Sequence, residues 1–447
     1  MNGSRITPWL QSRQASGEAS AAGLPPEQPV VRLFRGLRRL GQLRRMIAQG
    51  VRNLVTAGTA RSRTLAPANY QLLANAPELP DRPMPLSQFE RAAPGEATMI
   101  ERMARRAAAA VVTNYCAMKV AAPAVHAMRD QHAKSHGCVR AEFVVRDDLP
   151  PEFTTSLFRP GVRYPTLVRF SNGDGRPRSD RKLDGRGMSI KLRGVDTATF
   201  LRALAPDRTG AGEHDFVLGS FPVFFCKDVS DYSEFMEAVD APHTSWPEWL
   251  RFIARWFVFI VRHPRQFFTF LRIGLESLAT IRDPLAATYH SMSPYLFGED
   301  KVVRYVVSPA RRRHQPARWQ SLLDLPRSDN FLRDALVSGL DPATHPSGDD
   351  VAFDFSIRVR HSATPGDAED ASRWWTAPRD QTVQLGRIEI PMQNFLAPDQ
   401  LFDCEHMMFN PWNCLPQHRP LGSLNRMRLA VYLAALQVRH KLNRVAS

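Results

Sequence analysis

Near the C-terminus the stretch "NRMRLAVYLAALQVRHKLN" (425–443) places Tyr432 four residues after Arg428 and seven before Arg439. On a 3.6-residue period these three side chains share one face of a helix, and Leu429, Leu433 and Leu436 supply apolar surface elsewhere. A guanidinium one turn from a phenol favours the phenolate, an anionic oxygen donor. A second chemically active stretch is "MRDQHAKSHGCVRAEFVV" (128–145), with His132 and His136 four residues apart. A metal pair at that spacing needs a helix beneath it and a further ligand, and Gly137 before a strand pattern supplies neither. The other readings are structural hydrogen-bonding histidines and an imidazole that moves a proton near neutral pH.

The elements that must position these groups are legible in the periodicity. From residue 137 apolar and polar residues alternate in eight strand candidates: 138–146, 166–170, 187–193, 215–218, 222–226, 301–308, 351–361 and 382–391. Turn clusters such as "SNGDGRPRSD" separate them, and most neighbours lack an intervening helix, which argues against a parallel sheet. Eight antiparallel strands suit a closed barrel, which leaves no exposed edge. Helices are expected at 99–121, 245–280, 315–338 and 423–442. The fold class is α+β: an eight-stranded antiparallel barrel with flanking helices and a basic N-terminal arm. Three parts follow: an arm at 1–60, disordered or amphipathic, an extended and helical segment at 61–124, and a folded domain at 125–442.

The 447 residues carry a formal charge of +15, and residues 1–63 hold eleven Arg against two Glu. Aromatics are scarce in that arm, so the charge does not read as a nucleic-acid surface. Five cysteines with no CxxC read as reduced thiols of a cytosolic-type compartment rather than a disulfide framework. No apolar run is long enough to cross a bilayer. Residues 31–55 alternate Leu, Phe and Met with Arg as a basic amphipathic helix does. Within 249–275, Arg251, Arg255, Arg262, Arg265 and Arg272 cluster on one side of the helical wheel. Two readings of 249–275 stand: core helices broken at Pro264 with solvated arginines, or a contact with the surface of a membrane.

Taken in order, "RDQHAKSHG", "PTLVRFSNG", "DGRGMSIKL", "HDFVLGSFPVFFCKD", "SPYLFG", "FNPWNCLP" and "RLAVY" resemble the haem catalase superfamily, the catalase-like haem peroxidases, across about residues 125–442. The resemblance implies the barrel already reached from alternation, haem b as cofactor, and consumption of hydrogen peroxide or an organic or lipid hydroperoxide. It implies that His132 is the distal acid/base, that Ser171 accepts its hydrogen bond, and that Arg129, Arg169 and Arg439 hold the haem propionates. Tyr432 matches the axial iron ligand, Arg428 its partner one turn before, and Tyr232 an aromatic near the haem face. One departure stands out: where the family pattern has a distal asparagine, this chain has Gly219, and Asn172 is the other amide close by in sequence. That loss tilts the reading toward peroxidase-type chemistry. The competing reading is a non-catalytic haem or lipid carrier peripheral to the membrane. Oligomeric state is left open, a homo-oligomer included.

Overall fold

The computed structural model describes residues 86–121, 126–195, 199, 201, 212–240, 245–311, 325–343, 351–375 and 380–443. The arm at 1–60, with its helix at 31–55, and the first half of the helix expected at 315–338 lie outside the described residues.

Nine strands are present among these residues: β1 (Ser135–Val145), β2 (Arg163–Asn172), β3 (Arg186–Arg193), β4 (Glu213–Gly219), β5 (Tyr289–His290), β6 (Tyr295–Phe297), β7 (Lys301–Pro309), β8 (Val351–Arg360) and β9 (Asp380–Ile390). They bond in the order β5-β4-β3-β2-β1-β9-β8-β7-β6. A further pairing of β5 with β7 closes eight of them into an antiparallel barrel, with β6 appended to β7.

Alternation explains what the barrel encloses. In β8, Val351, Phe353, Phe355, Ile357 and Val359 are buried, while the residues between them are more open. Phe355 meets Phe143 and Phe216 edge-on at 5.0 and 4.9 Å between ring centres, so aromatic packing fills the lumen. In β2, Val168 and Phe170 enter the same core. Arg169 and Ser171, one residue out of phase, therefore face the layer outside the barrel.

One expected strand is not a strand. Residues 222–226 form an irregular loop after β4 ends at Gly219. Pro222 has no N–H for a ladder, and Phe224 and Phe225 turn into an aromatic cluster beneath the flanking helices. The eighth barrel strand is the two-residue β5 instead.

The helices are α1 (Glu96–Ala121), α2 (Val229–Val239), α3 (Trp246–Arg262), α4 (Pro264–Thr280), α5 (Phe331–Leu340), α6 (Pro365–Glu369), α7 (Pro398–His406) and α8 (Ser423–Asn443). The break at Pro264 falls where the sequence puts it, with the proline at the first position of α4. α1 backs α8: Ala104, Ala107, Ala108 and Val111 pack on Ala430, Ala434, Ala435 and Val438. Small side chains allow close approach of the two helices and leave the Arg428–Tyr432 face of α8 turned elsewhere. The start of α8 is pinned by Arg426, whose guanidinium bonds Glu90, Glu96 and Glu369 at 2.6–3.1 Å. None of the helices described is long and apolar enough to cross a membrane.

Candidate functional site

On α8, the Arg428 Nη2 donates to the Tyr432 phenol oxygen at 3.3 Å, and its Nη1 donates to Asn425 at 3.0 Å. Burial opposes the Arg428 charge, but Tyr432 and Tyr295 outweigh it and raise its pKa. Burial pushes the Tyr295 phenol up to about 12, so it stays protonated beside the same guanidinium.

His132 enters from the loop before β1. Its backbone is left-handed, with φ at 55°, and is held there by its N–H on the Gly173 carbonyl and by Arg169 donating to its own carbonyl at 3.0 Å. The ring lies against Gly187, where an added Cβ would come within 2.6 Å of it. Its Nδ1 is 3.1 Å from Ser171 Oγ. Burial, then the charge of Arg169, lowers the His132 pKa to about 4, and Arg428 and Arg129 add to the depression. The imidazole is thus neutral at physiological pH, and the field of Arg428 reaches from the α8 wall to the His132 wall.

The three arginines expected to share a role do converge, at the C-terminal end of α7. Arg129 bonds Glu405 Oε2 at 3.0 Å and the carbonyls of Cys404 and Met407. Arg169 bonds Glu405 Oε1 at 3.3 Å. Arg439 bonds the carbonyls of Glu405 and His406 at 3.0 and 3.3 Å. Part of their task is therefore to satisfy carbonyls that a helix end leaves open. Yet three guanidinium groups gather here around one carboxylate that only Arg129 and Arg169 bond, and the Nε of Arg169 and of Arg439 is buried with no hydrogen-bond partner. Burial, followed by mutual repulsion, lowers the pKa of Arg129 and of Arg439. A group carrying two carboxylates would neutralise this surplus, which is the chemistry of haem propionates. The donor set fits the cofactor that the sequence implies.

Asn172 does not serve as the distal amide. Its side chain is spent on His136 at 3.0 Å, Asp180 at 2.9 Å and Arg186 at 2.5 Å, on the face of β2 opposite Ser171. His136, lowered to about 3 by burial, is a structural histidine of that network. Among the described residues no cluster of three His, Cys, Asp or Glu groups is set to hold a metal ion. All five cysteines are buried and free of disulfides. Tyr232 sits on α2 among Phe224, Phe225 and Phe235, in the cluster that Val431 also touches.

Sequence reasoning missed Glu405, Met292 and Tyr295. Glu405 sits in "FDCEHM", with no spacing tie to arginines over two hundred residues upstream, so only the fold brings them together. Met292, also left-handed at φ 60°, packs its sulfur over Gly219.

Residues 125–276 match the family model described as Catalase. A bacterial catalase shares the fold with a TM-score of 0.52 and 17% identity, over 74% of this chain and 62% of its own. Catalase A from Saccharomyces cerevisiae gives 0.50 and 16% identity, over 75% and 66%. This chain thus spans less than two thirds of the length of those structures. No curated protein matched it. The chain is thus similar to the Catalase family over residues 125–276, and its barrel shares the fold of those catalases.

Proposed function

We infer that this protein is a haem-dependent oxidoreductase that consumes hydrogen peroxide or an organic hydroperoxide. One observation carries the reading: Arg428 is bonded to the Tyr432 phenol, while His132, its pKa lowered by burial and by Arg169 with Arg428 adding, has its Nδ1 tied to Ser171. A phenol oxygen donor and a neutral imidazole are thereby held in one electrostatic neighbourhood.

Bound haem would supply the redox-active iron; the chain would supply the rest. Tyr432 oxygen would ligate the iron, with Arg428 beside it to balance the charge of a bound phenolate. Arg129, Arg169 and Arg439 would hold the two propionates. With Nδ1–H donating to Ser171 Oγ, His132 presents the Nε2 lone pair to the peroxide. Nε2 would take the proton from one peroxide oxygen and deliver it to the other. Gly219 presents no amide to orient the peroxide, and this favours oxidation of a second substrate over disproportionation.

The test is a haem titration followed by turnover. A Soret band is expected to grow with haem and saturate, and Tyr432→Phe is expected to change its position and weaken retention. Oxygen evolution, guaiacol oxidation and lipid hydroperoxide turnover on one loaded sample then rank the reactions. Loaded protein that turns over none of these, with His132→Ala indistinguishable from the parent, would make it a carrier instead.

A further inference from the structure

Helix α3 has three faces rather than two. Phe259 is buried in the cluster built around Phe225, Phe235 and Met427, and Phe252 is buried on the same side, against Trp256. A second face carries Trp246, Trp249, Leu250, Ile253, Phe257 and Val261, which by helical geometry fall within an arc of about 120°. All six are exposed, Trp246, Phe257 and Val261 to 69%, 66% and 62%. Arg251, Arg255 and Arg262 form the third face, and they too are exposed. Few isolated helices of a soluble body leave so many large apolar side chains in water without a use for them.

We propose that this face of α3 lies in the headgroup region of an anionic lipid surface, the apolar arc down and the arginine strip along its rim. Charge complementarity selects the occupant. From Trp246 to Thr280 the chain carries five arginines against two glutamates. A two-fold contact with a second copy would bring the arginine strip toward its own image, where like charges repel. The arm before residue 64, with eleven Arg and two Glu, has the same sign and makes an equally poor cover. Anionic headgroups pair with both. Trp246 and Trp249 stack with ring centres 5.4 Å apart at the start of the helix, the kind of side chain that settles at an interface. At 17 residues, and stopped by Pro264, the helix lies along a surface rather than through it. The inference is independent of the peroxide chemistry.

The experiment uses the full chain and vesicles of phosphatidylcholine with or without phosphatidylserine. Binding is expected to the anionic vesicles and to weaken with salt. Brominated lipid should quench the tryptophan fluorescence, and Trp246→Phe with Trp249→Phe should remove that quenching. Phe257→Glu with Val261→Glu is expected to lower partitioning by at least about tenfold, with melting temperature and Soret band unchanged. Equal binding by this variant and the parent would mean that the arm alone reads the membrane, and would overturn the proposal. So would a lipid-free dimer that the same variant splits, with no vesicle binding by the parent.

Discussion

A Cβ built on Gly219 would stand 2.4 Å from the sulfur of Met292, so the thioether fills the space that any side chain at 219 would need. Met292 thus occupies the volume that an amide side chain at 219 would take. Gly219→Asn alone should therefore strain the β4–β5 contact. The pair Gly219→Asn with Met292→Ala should restore room for the amide. Oxygen evolution by the haem-loaded double variant is expected to rise by about an order of magnitude over the parent. An oxygen-electrode rate equal to the parent's would show that the amide is not what limits disproportionation.

As the proposed base, His132 is expected to set the acid limit of turnover. With its pKa lowered to about 4 by burial and by Arg169, the imidazole stays neutral, and able to take a proton, well below the usual histidine range. The peroxide kcat/KM should be flat from neutral pH down to about 5 and fall as pH passes through about 4. An acid limb near 6.5 would instead report an unperturbed base.

Stability should fall earlier than activity. Burial lowers His136 and His418 to about 3, whereas unfolded histidines titrate near 6.5. Between those values the unfolded chain binds protons that the folded chain refuses, so stability is undiminished above neutral pH and is lost as pH drops from about 6.5 toward 3. His418 packs edge-on against Phe158 at 5.3 Å, and His418→Phe should remove about one proton from that dependence. Urea midpoints across pH for both proteins give the slopes, and identical slopes would count against the assignment.

Arg426 ties the first turn of α8 to carboxylates from three segments. Arg426→Met would leave Glu96, 5% exposed, as a buried charge without its guanidinium, and would leave Glu90 to Arg419 alone. A loss of about 3–5 kcal/mol is expected from urea unfolding. Haem retention should weaken as well, because the helix bearing Tyr432 loses its anchor.

Asn172→Ser should cost about 1–3 kcal/mol by breaking up the His136–Asp180–Arg186 network. Turnover per loaded molecule is expected to hold, since Ser171, and not Asn172, faces His132. A fall in that specific rate would return Asn172 to the distal pocket.

Physical reasons divide what the sequence discloses from what it conceals. β8 announces itself because ten residues of strict alternation leave no other element to form. β5 is invisible, since two residues have no period; only the pairing of His290 with Gly219 and Val306 makes it a strand. Residues 222–226 mislead because a run of aromatics looks the same in a ladder and in a loop that feeds a helical cluster. At the site, Arg428 and Tyr432 are legible as neighbours on one helical turn. The embrace of Glu405 by Arg129 and Arg169 spans 276 and 236 positions, and no local rule reaches that far.

The alternation of β2 has a consequence for assembly. Slipping that strand by one residue against β1 would drive Arg169 and Ser171 into a lumen filled with phenylalanine and swing Val168 and Phe170 outward. A mis-registered barrel would lose an anion clamp and the hydroxyl that orients His132 in the same error. Uptake of a dianionic cofactor would then act as a quality check on strand register, passed only by chains whose hairpins have closed in phase.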